Sequence, residues 1–170
     1  MTRPDCIKHW KEIQGPDDSH YRDSQELMSI GSPFGRSFGL SRIGIHHELV
    51  SPGRRTSWPH CEKTEDEFIY VIEGTPDVWL DGELVRLAPG DAVGFAAGTG
   101  LAHTFINNTQ TDVRLLVVGD RNRDDNRLHY PLHPAHNAKI GELHWNDVPQ
   151  RPRGPHDGLP DRLREAGGPF

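Results

Sequence analysis

The sequence predicts an all-β fold, an antiparallel sandwich or barrel built as a single domain. Short strand-like runs follow one another between about residues 39 and 118, and turn signals rather than long helical periods separate them. The chain contains 18 Gly and 14 Pro residues, which is typical of many turns. A length of 170 residues suits one domain with its own core.

The first predicted strand covers residues 43–49, where Ile43, Ile45 and His47 alternate with polar residues. We expect His47 to share the phase of the two isoleucines and to face the interior. A hairpin turn is predicted at Asp81-Gly82, a pair that favours tight two-residue turns. The other predicted strands cover residues 67–73, 77–80, 83–87, 92–96, 103–106 and 113–118.

Composition changes divide the chain into an N-terminal arm (residues 1–37), a barrel (38–119) and a C-terminal extension (120–170) packed on the barrel. Both flanking parts are polar and irregular. We predict one short strand near residues 7–13 of the arm and one short helix near residues 159–166 of the extension.

Charge and composition narrow the range of partners. The net charge of −6 works against binding nucleic acid or an anionic membrane surface, because both need a basic face. The first ten residues lack the apolar run of a signal peptide, and no window approaches the length of a membrane span. Cys6 and Cys61 are too few for a disulfide framework. We expect a cytoplasmic protein that binds a small molecule.

Two segments contain residues suited to metal chemistry. Residues two apart on a strand point the same way, so His60 and Glu62 share a face. Glu67 opens the next strand, and His103 begins a later strand that would have to lie alongside. Two histidines and one carboxylate, His60, Glu67 and His103, form the pattern that holds a divalent metal and leaves positions open for substrate or oxygen. Glu62 is either a further ligand, a base, or a partner of Lys63, Arg54 or Arg55.

These segments resemble the two motifs of the cupin superfamily. His60, Glu67 and Gly74 match the first motif, in which six residues separate the glutamate from the glycine. The second motif is matched by Gly90, Gly98, His103 and Asn107. The resemblance covers about residues 42–118. It implies a jelly-roll barrel, one divalent metal ion per chain (Fe, Mn or Zn) and a homodimer.

Three departures from the motifs bear on the metal. Glu62 stands where the superfamily usually has a second histidine, and Ala96 replaces the motif proline. Four residues separate Gly98 from His103 where the motif has two. The His-x-Glu arrangement is similar to that of the cupin dioxygenases that cleave the ring of 3-hydroxyanthranilate.

The resemblance and the donor set together predict a metal-dependent enzyme acting on a small polar substrate, in the first place a non-haem metal oxygenase. A metal-dependent sugar isomerase or lyase and a non-catalytic small-molecule-binding cupin are the alternatives. Glu62 is the first candidate for a catalytic base if it does not bind the metal. The predicted pocket walls are His47, Trp58, Ile69, Val71 and Phe105.

Overall fold

A computed structural model describes residues 3–121 and 123–168, and the predicted all-β class is confirmed. Within these ranges strands dominate and the helices are short. The strands are β1 (Ile30–Ser32), β2 (Ile43–Val50), β3 (Cys61–Glu62), β4 (Glu67–Glu73), β5 (Asp77–Leu80), β6 (Glu83–Arg86), β7 (Ala92–Phe95), β8 (His103–Ile106), β9 (Val113–Asp120) and β10 (Leu128–His129). The α-helices are α1 (Phe34–Ser37), α2 (Pro134–Ile140) and α3 (Asp161–Glu165), and 3₁₀ helices cover Trp10–Glu12 and Gly141–Leu143.

Two antiparallel sheets form the barrel. One has five strands in the order β1-β2-β9-β4-β7, and the other has three in the order β6-β5-β8. The segment before β3 continues the smaller sheet, because Arg55 bridges Ile106 and His60 bridges His103. β3 then pairs with β10 from the C-terminal extension. This arrangement is the jelly-roll barrel that the sequence motifs predict.

The core fills the space between the two sheets. Ile69 and Val71 of β4 are buried, whereas Phe68 and Tyr70 between them are exposed, so β4 shows the predicted alternation. The core combines apolar side chains from both sheets: Val50, Ile69, Val71, Val78, Leu87, Phe95, Phe105, Val113 and Leu115.

Strand β2 has the opposite phase to the predicted one. Val50 belongs to the core, while Ile43 is 43% exposed. His47 is buried on the outer face instead, because the arm covers it there: Trp10 stacks on its ring with centroids 4.5 Å apart. The Arg114 Nε–H also donates a hydrogen bond to His47 Nε2 at 3.1 Å. The alternation therefore predicts correctly that β2 has two different faces. It does not show which face is the inner one, because the arm buries the outer face as well.

The strand predicted near residues 7–13 is wrong. This part of the arm forms a 3₁₀ helix at Trp10–Glu12, closed by a capping box. The Lys11 backbone N–H donates to the His9 ring, and the His9 backbone N–H donates to the Glu12 carboxylate. These local bonds satisfy backbone groups that would otherwise need a neighbouring strand. The helix predicted near residues 159–166 is present as α3.

The C-terminal extension docks on the β5–β6 hairpin. Asp81 and Gly82 form its turn with φ angles of 45° and 96°. The Gly154 N–H donates to the Asp81 carbonyl at 2.7 Å, and the His156 N–H donates to the Gly82 carbonyl at 3.0 Å. A Cβ at Gly82 would clash with the Gly154 carbonyl oxygen. Glycine is therefore required there both for its backbone conformation and for space.

We expect Gly82→Ala to lower the free energy of unfolding by clearly more than Gly90→Ala. Both glycines have nearly the same positive φ, 96° and 99°, but a Cβ at Gly90 would meet nothing within 4 Å. Both substitutions carry the cost of the left-handed backbone, about 1 kcal/mol or more, and only Gly82→Ala adds the clash. Urea unfolding measures the difference, and equal losses would show that the extension does not press on the hairpin.

The outer face of the larger sheet leaves apolar side chains in solvent. Phe68, Tyr70 and Ile72 of β4 are 37–44% exposed, and Ile43 of β2 is similar. The homodimer implied by the cupin resemblance stays a prediction.

No helix within residues 3–121 and 123–168 has the length and apolar character needed to cross a membrane.

Candidate active site

A cavity of about 260 Å³ opens into the barrel between the two sheets. Its walls combine three kinds of polar group, namely hydroxyls, carboxyls and imidazoles, over a small apolar floor. The lining residues are Ser19, Ser29, Gly31, Glu48, Thr56, Ser57, His60, Glu67, Ile69, His103, Phe105 and Val117. The cavity is small beside the ~300–1,000 Å³ typical of ligand pockets, which indicates a small ligand.

His60 and His103 lie directly opposite each other on neighbouring antiparallel segments. Their backbones exchange hydrogen bonds of 3.2 and 2.9 Å, and their ring centroids are 5.3 Å apart. The His60 Nδ1 lies 2.9 Å from the Trp58 carbonyl oxygen, so Nδ1 carries the proton and Nε2 keeps a lone pair. Burial, followed by the charge of His103, lowers the pKa of His60.

Glu67 reaches His103 from the opposite sheet. The distance from His103 Nε2 to Glu67 Oε2 is 2.7 Å, and His103 Nδ1 lies 3.3 Å from the Leu101 carbonyl oxygen. Burial raises the pKa of Glu67, but the hydrogen bond from His103 and the neighbouring histidines outweigh it and hold that pKa below its ordinary value. The predicted trio of His60, Glu67 and His103 is thus brought together across the barrel.

Glu62 lies beside this trio, in a second, much smaller cavity that Glu67 and His103 also line. Burial, and then the negative charges of Glu67 and Glu65, raise the pKa of Glu62 to about 8. The three basic residues that could have paired with Glu62 bind other partners: Lys63 pairs with Asp147, Arg54 with Asp17 and Arg55 with Glu26. The predicted pairing of Glu62 with one of these three residues is therefore wrong, and its roles as ligand or base stay predictions.

The donor chemistry of the trio suits a divalent metal. His103 Nε2 and Glu67 Oε2 share a hydrogen bond of 2.7 Å, and a divalent ion bound by both atoms would take the place of that proton. Backbone carbonyls hold both Nδ1 atoms, as is usual for metal-binding histidines. Nevertheless, no group of three His, Cys, Asp or Glu side chains in the described parts of the chain is arranged to hold a metal ion.

Glu48 is a carboxyl of the cavity that the sequence analysis missed. It lies on the inner face of β2, with its side chain 16% exposed. The Ser29 hydroxyl from the arm donates a hydrogen bond of 2.7 Å to Glu48 Oε2. Burial raises the pKa of Glu48 to about 6, and the negative charge of Glu67 adds to this effect.

The predicted pocket walls lie in three different places. Ile69 and Phe105 line the cavity, and Val71 lies in the apolar core beneath it. His47 lies on the outer face under Trp10, outside the cavity lining. Trp58 is buried between the arm and the extension, where it stacks on Tyr21 and His133 at centroid distances of 4.0 and 3.9 Å.

Of the cavity residues that the sequence analysis missed, some could have been identified from a sequence pattern and others could not. Glu48 has the phase opposite to that of His47, so the correct phase of β2 would have identified it. Thr56 and Ser57 precede His60 on the segment that pairs with β8, and only that pairing brings them to the cavity. Ser29 comes from the irregular arm, where no periodicity signals its direction.

Comparisons with known proteins agree with this architecture. The sequence profile of the cupin domain family matches residues 46–119. A solved structure from Silicibacter pomeroyi, described as a sugar phosphate isomerase of the cupin superfamily, is 31% identical with a TM-score of 0.58. The match covers 60% of this chain and 64% of that protein, so it spans less than two thirds of its length.

Two further solved structures are similar over more of the chain. A proposed sugar phosphate isomerase from Acidithiobacillus ferrooxidans is 25% identical with a TM-score of 0.66, covering 75% of this chain and 81% of that one. A polyketide cyclase from Streptomyces resistomycificus, 21% identical with a TM-score of 0.60 over 84% and 96% of the two chains, shares the fold. No curated protein sequence matches the chain. Residues 46–119 therefore form a cupin domain.

Proposed function

We propose that the protein is a metal-dependent isomerase that moves a proton between neighbouring carbons of a small hydroxylated aldehyde or ketone. The observation that carries this proposal is the lining of one cavity by hydroxyls, carboxyls and imidazoles together. Hydroxyl side chains suit a substrate rich in hydroxyl groups, and carboxyls can accept and return protons. Isomerisation also needs no second substrate, which agrees with the small volume of the cavity.

His60, Glu67 and His103 are the residues that would hold the metal. A divalent ion bound there would supply Lewis-acid polarisation of a substrate oxygen. Ser57 lies within 3.3 Å of His60 Nδ1 and adds to the bonds that orient this ring. Thr56 and Ser57 are placed to orient substrate hydroxyls, since both line the same wall as His60.

Charge favours an unphosphorylated substrate. The described lining residues include no lysine or arginine that could bind a phosphate group, whereas they include two carboxyls, Glu48 and Glu67, whose charge a bound divalent ion would only neutralise. The similar structures from S. pomeroyi and A. ferrooxidans, both described as sugar phosphate isomerases, support the reaction class. We propose that this chain carries out that class of reaction on a free sugar or a related hydroxycarbonyl compound.

The experiment uses protein loaded separately with Mn(II), Zn(II) and Fe(II), after metal removal. D-xylose, D-glyceraldehyde and their phosphate esters are the probes, and nuclear magnetic resonance follows conversion in each case. We expect metal-dependent isomerisation of a free sugar with lower activity on its ester. His60→Gln and His103→Gln are expected to lose bound metal and about 100-fold or more of the activity.

His129→Gln is the matched control, because His129 pairs with His144 outside the cavity. It should keep both metal and activity. A wild-type protein that binds metal yet isomerises none of the sugars or sugar phosphates would overturn the isomerase proposal. Higher activity on the phosphate esters would overturn the proposed preference for uncharged substrates.

An oxygenase is the second candidate, because His60, Glu67 and His103 form the two-histidine, one-carboxylate set of non-haem iron enzymes. Oxygen uptake by the iron-loaded protein with 3-hydroxyanthranilate and other phenolic acids tests it. Oxygen consumption that requires both iron and Glu67, without sugar isomerisation, would favour the oxygenase. A protein that binds no metal even after reconstitution would leave a non-catalytic binding barrel.

A further inference from the structure

Glu48 is a carboxyl of the cavity outside the proposed metal ligands. It comes from β2, two strands away from β4, which carries Glu67. Paired residues face the same way, and its partner on β9, Leu115, is fully buried in the core. Glu48 thus points into the barrel above apolar side chains, where an unpaired carboxylate is costly. Such a position needs an explanation beyond stability.

The two oxygens of Glu48 have different surroundings. Oε2 accepts the hydrogen bond from the Ser29 hydroxyl. Gly31, the residue paired with Glu48 across the β1–β2 ladder, lies against the carboxylate, where an added Cβ would lie 3.3 Å from Oε1 and 3.6 Å from Oε2. His46 Nδ1 lies 3.9 Å from Oε1. Ser29 therefore holds Oε2, no hydrogen bond to Oε1 is found among the described residues, and glycine at position 31 leaves space beside the carboxylate.

We propose that Glu48 transfers the proton between the two substrate carbons and that Ser29 is the positioning residue that orients its carboxylate. This inference rests on the proposed isomerase function and deepens it by naming the acid–base residue. It separates the two tasks of the site. His60, Glu67 and His103 would hold the metal, which would polarise a substrate oxygen, and Glu48 carries the proton between the two carbons.

The proton transfer balances without any co-reactant. Glu48 Oε1 takes the proton from the hydroxyl-bearing carbon next to the carbonyl, and the electrons of that C–H bond form the C=C bond of an enediol. The former carbonyl oxygen takes a proton from solvent as its C=O becomes C–OH. Glu48 then returns its proton to the other carbon, while the neighbouring hydroxyl releases its proton to solvent and becomes the new carbonyl, so no net proton is consumed. Substrate and product are isomers.

The ionisation of Glu48 suits this role. With a pKa raised to about 6, the carboxylate is mostly ionised at neutral pH and is a stronger base than an ordinary glutamate. The titratable and charged groups that face it are Glu67 and His46, and Ser29 is its hydrogen-bond donor. Activity should therefore fall as the pH drops through the pKa of Glu48, because the base becomes protonated, and a bound divalent ion would lower this pKa below its value of about 6 in the metal-free protein.

The test compares Glu48→Gln and Ser29→Ala with wild type, all metal-loaded, on D-xylose and D-glyceraldehyde in D₂O. Deuterium entering carbon 1 or 2 reports the proton transfer itself. Glu48→Gln should lose about 100-fold or more of the exchange while binding the same amount of metal. Glu73→Gln is the matched control, because this exposed glutamate pairs with Arg114 on the outside of the sheet.

Ser29→Ala should slow exchange less and move the acid limb of the pH profile upward, since the lost hydrogen bond stabilised the ionised carboxylate. Infrared difference spectra of metal-free wild type should show a carboxyl C=O band that titrates near pH 6 and is missing in Glu48→Gln.

The outcomes distinguish a failure of the role proposed for Glu48 from a failure of the proposed isomerase function. A wild type that exchanges neither sugar overturns the isomerase proposal and this inference with it. An active wild type with Glu48→Gln within threefold of it overturns the role of Glu48 alone. Loss of metal together with activity in Glu48→Gln would also overturn that role, because the residue would then act through the metal site.

Discussion

Glu26→Ala is expected to lower the free energy of unfolding by about 3–5 kcal/mol. Glu26 and Arg55 form an ion pair whose side chains are 1% and 0% exposed, with two hydrogen bonds of 2.6 and 2.7 Å. The Trp58 Nε1–H donates to the same carboxylate at 3.1 Å. Removing Glu26 leaves the Arg55 charge buried without its partner. Because domains are stable by only about 5–15 kcal/mol, this variant should be close to unfolding at room temperature.

Asp17→Ala is the control for this prediction. Asp17 pairs with the neighbouring Arg54, but its side chain is 50% exposed. Exposed pairs contribute up to about 1 kcal/mol, so urea unfolding should show a small loss. A double variant, Glu26→Leu with Arg55→Met, should recover part of the stability, because apolar residues replace the buried charges while the Trp58 Nε1–H and the Gly158 carbonyl oxygen lose their partners. Similar losses in Glu26→Ala and Asp17→Ala would contradict the prediction.

Glu48→Gln is expected to stabilise the metal-free protein by about 2 kcal/mol at pH 8, although it abolishes the proposed proton transfer. Folding raises the pKa of Glu48 from 4.5 to about 6, and at 1.36 kcal/mol per pKa unit this corresponds to about 2 kcal/mol. Between pH 4.5 and about 6 the Glu48 carboxyl is mostly protonated in the folded protein but mostly ionised in the unfolded protein. The ionised carboxylate therefore costs stability above pH 6 and costs nothing below about pH 4.5.

Urea unfolding of wild type and Glu48→Gln across pH 4 to 8 measures this effect. The difference between the two should be near zero at pH 4, grow as the pH rises through 6 and then level off. Glutamine can still accept the hydrogen bond from Ser29, so packing should change little. A gap that is the same at every pH would show that the effect comes from packing and not from the charge. Stability gained with activity lost is the usual sign of a functional residue.

The barrel and its inner faces could largely be predicted from local patterns. Ile69 and Val71 were predicted to share the inward phase of Glu67, and both are buried, whereas Phe68 and Tyr70 between and before them are exposed. The turn at Asp81-Gly82 was equally clear, because few other residues adopt its backbone conformation. These features depend on residues close together in the chain.

What could not be predicted depends on segments distant in sequence. In β2 the isoleucines suggested that the face with His47 is the inner one, but Trp10 and Arg114 cover that face from outside. This reversal concealed Glu48. Trp58 was predicted to line the pocket, yet Tyr21 and His133 enclose it from the arm and the extension. Such packing between distant segments leaves no periodic signal.

The fully buried Arg55 also has a consequence for folding during synthesis. Its guanidinium donates to Glu26 in the arm and to the Gly158 carbonyl oxygen, 103 residues further along the chain. A nascent chain that has left the ribosome only as far as residue 119 contains the whole cupin-domain match but lacks this acceptor. The ion pair with Glu26 can form in such a chain, but Arg55 Nη1 still lacks its buried acceptor, so closure of the barrel around Arg55 is less favourable until the extension is made. We therefore expect the C-terminal extension to complete the packing around Arg55 only after all the proposed metal ligands have been synthesised.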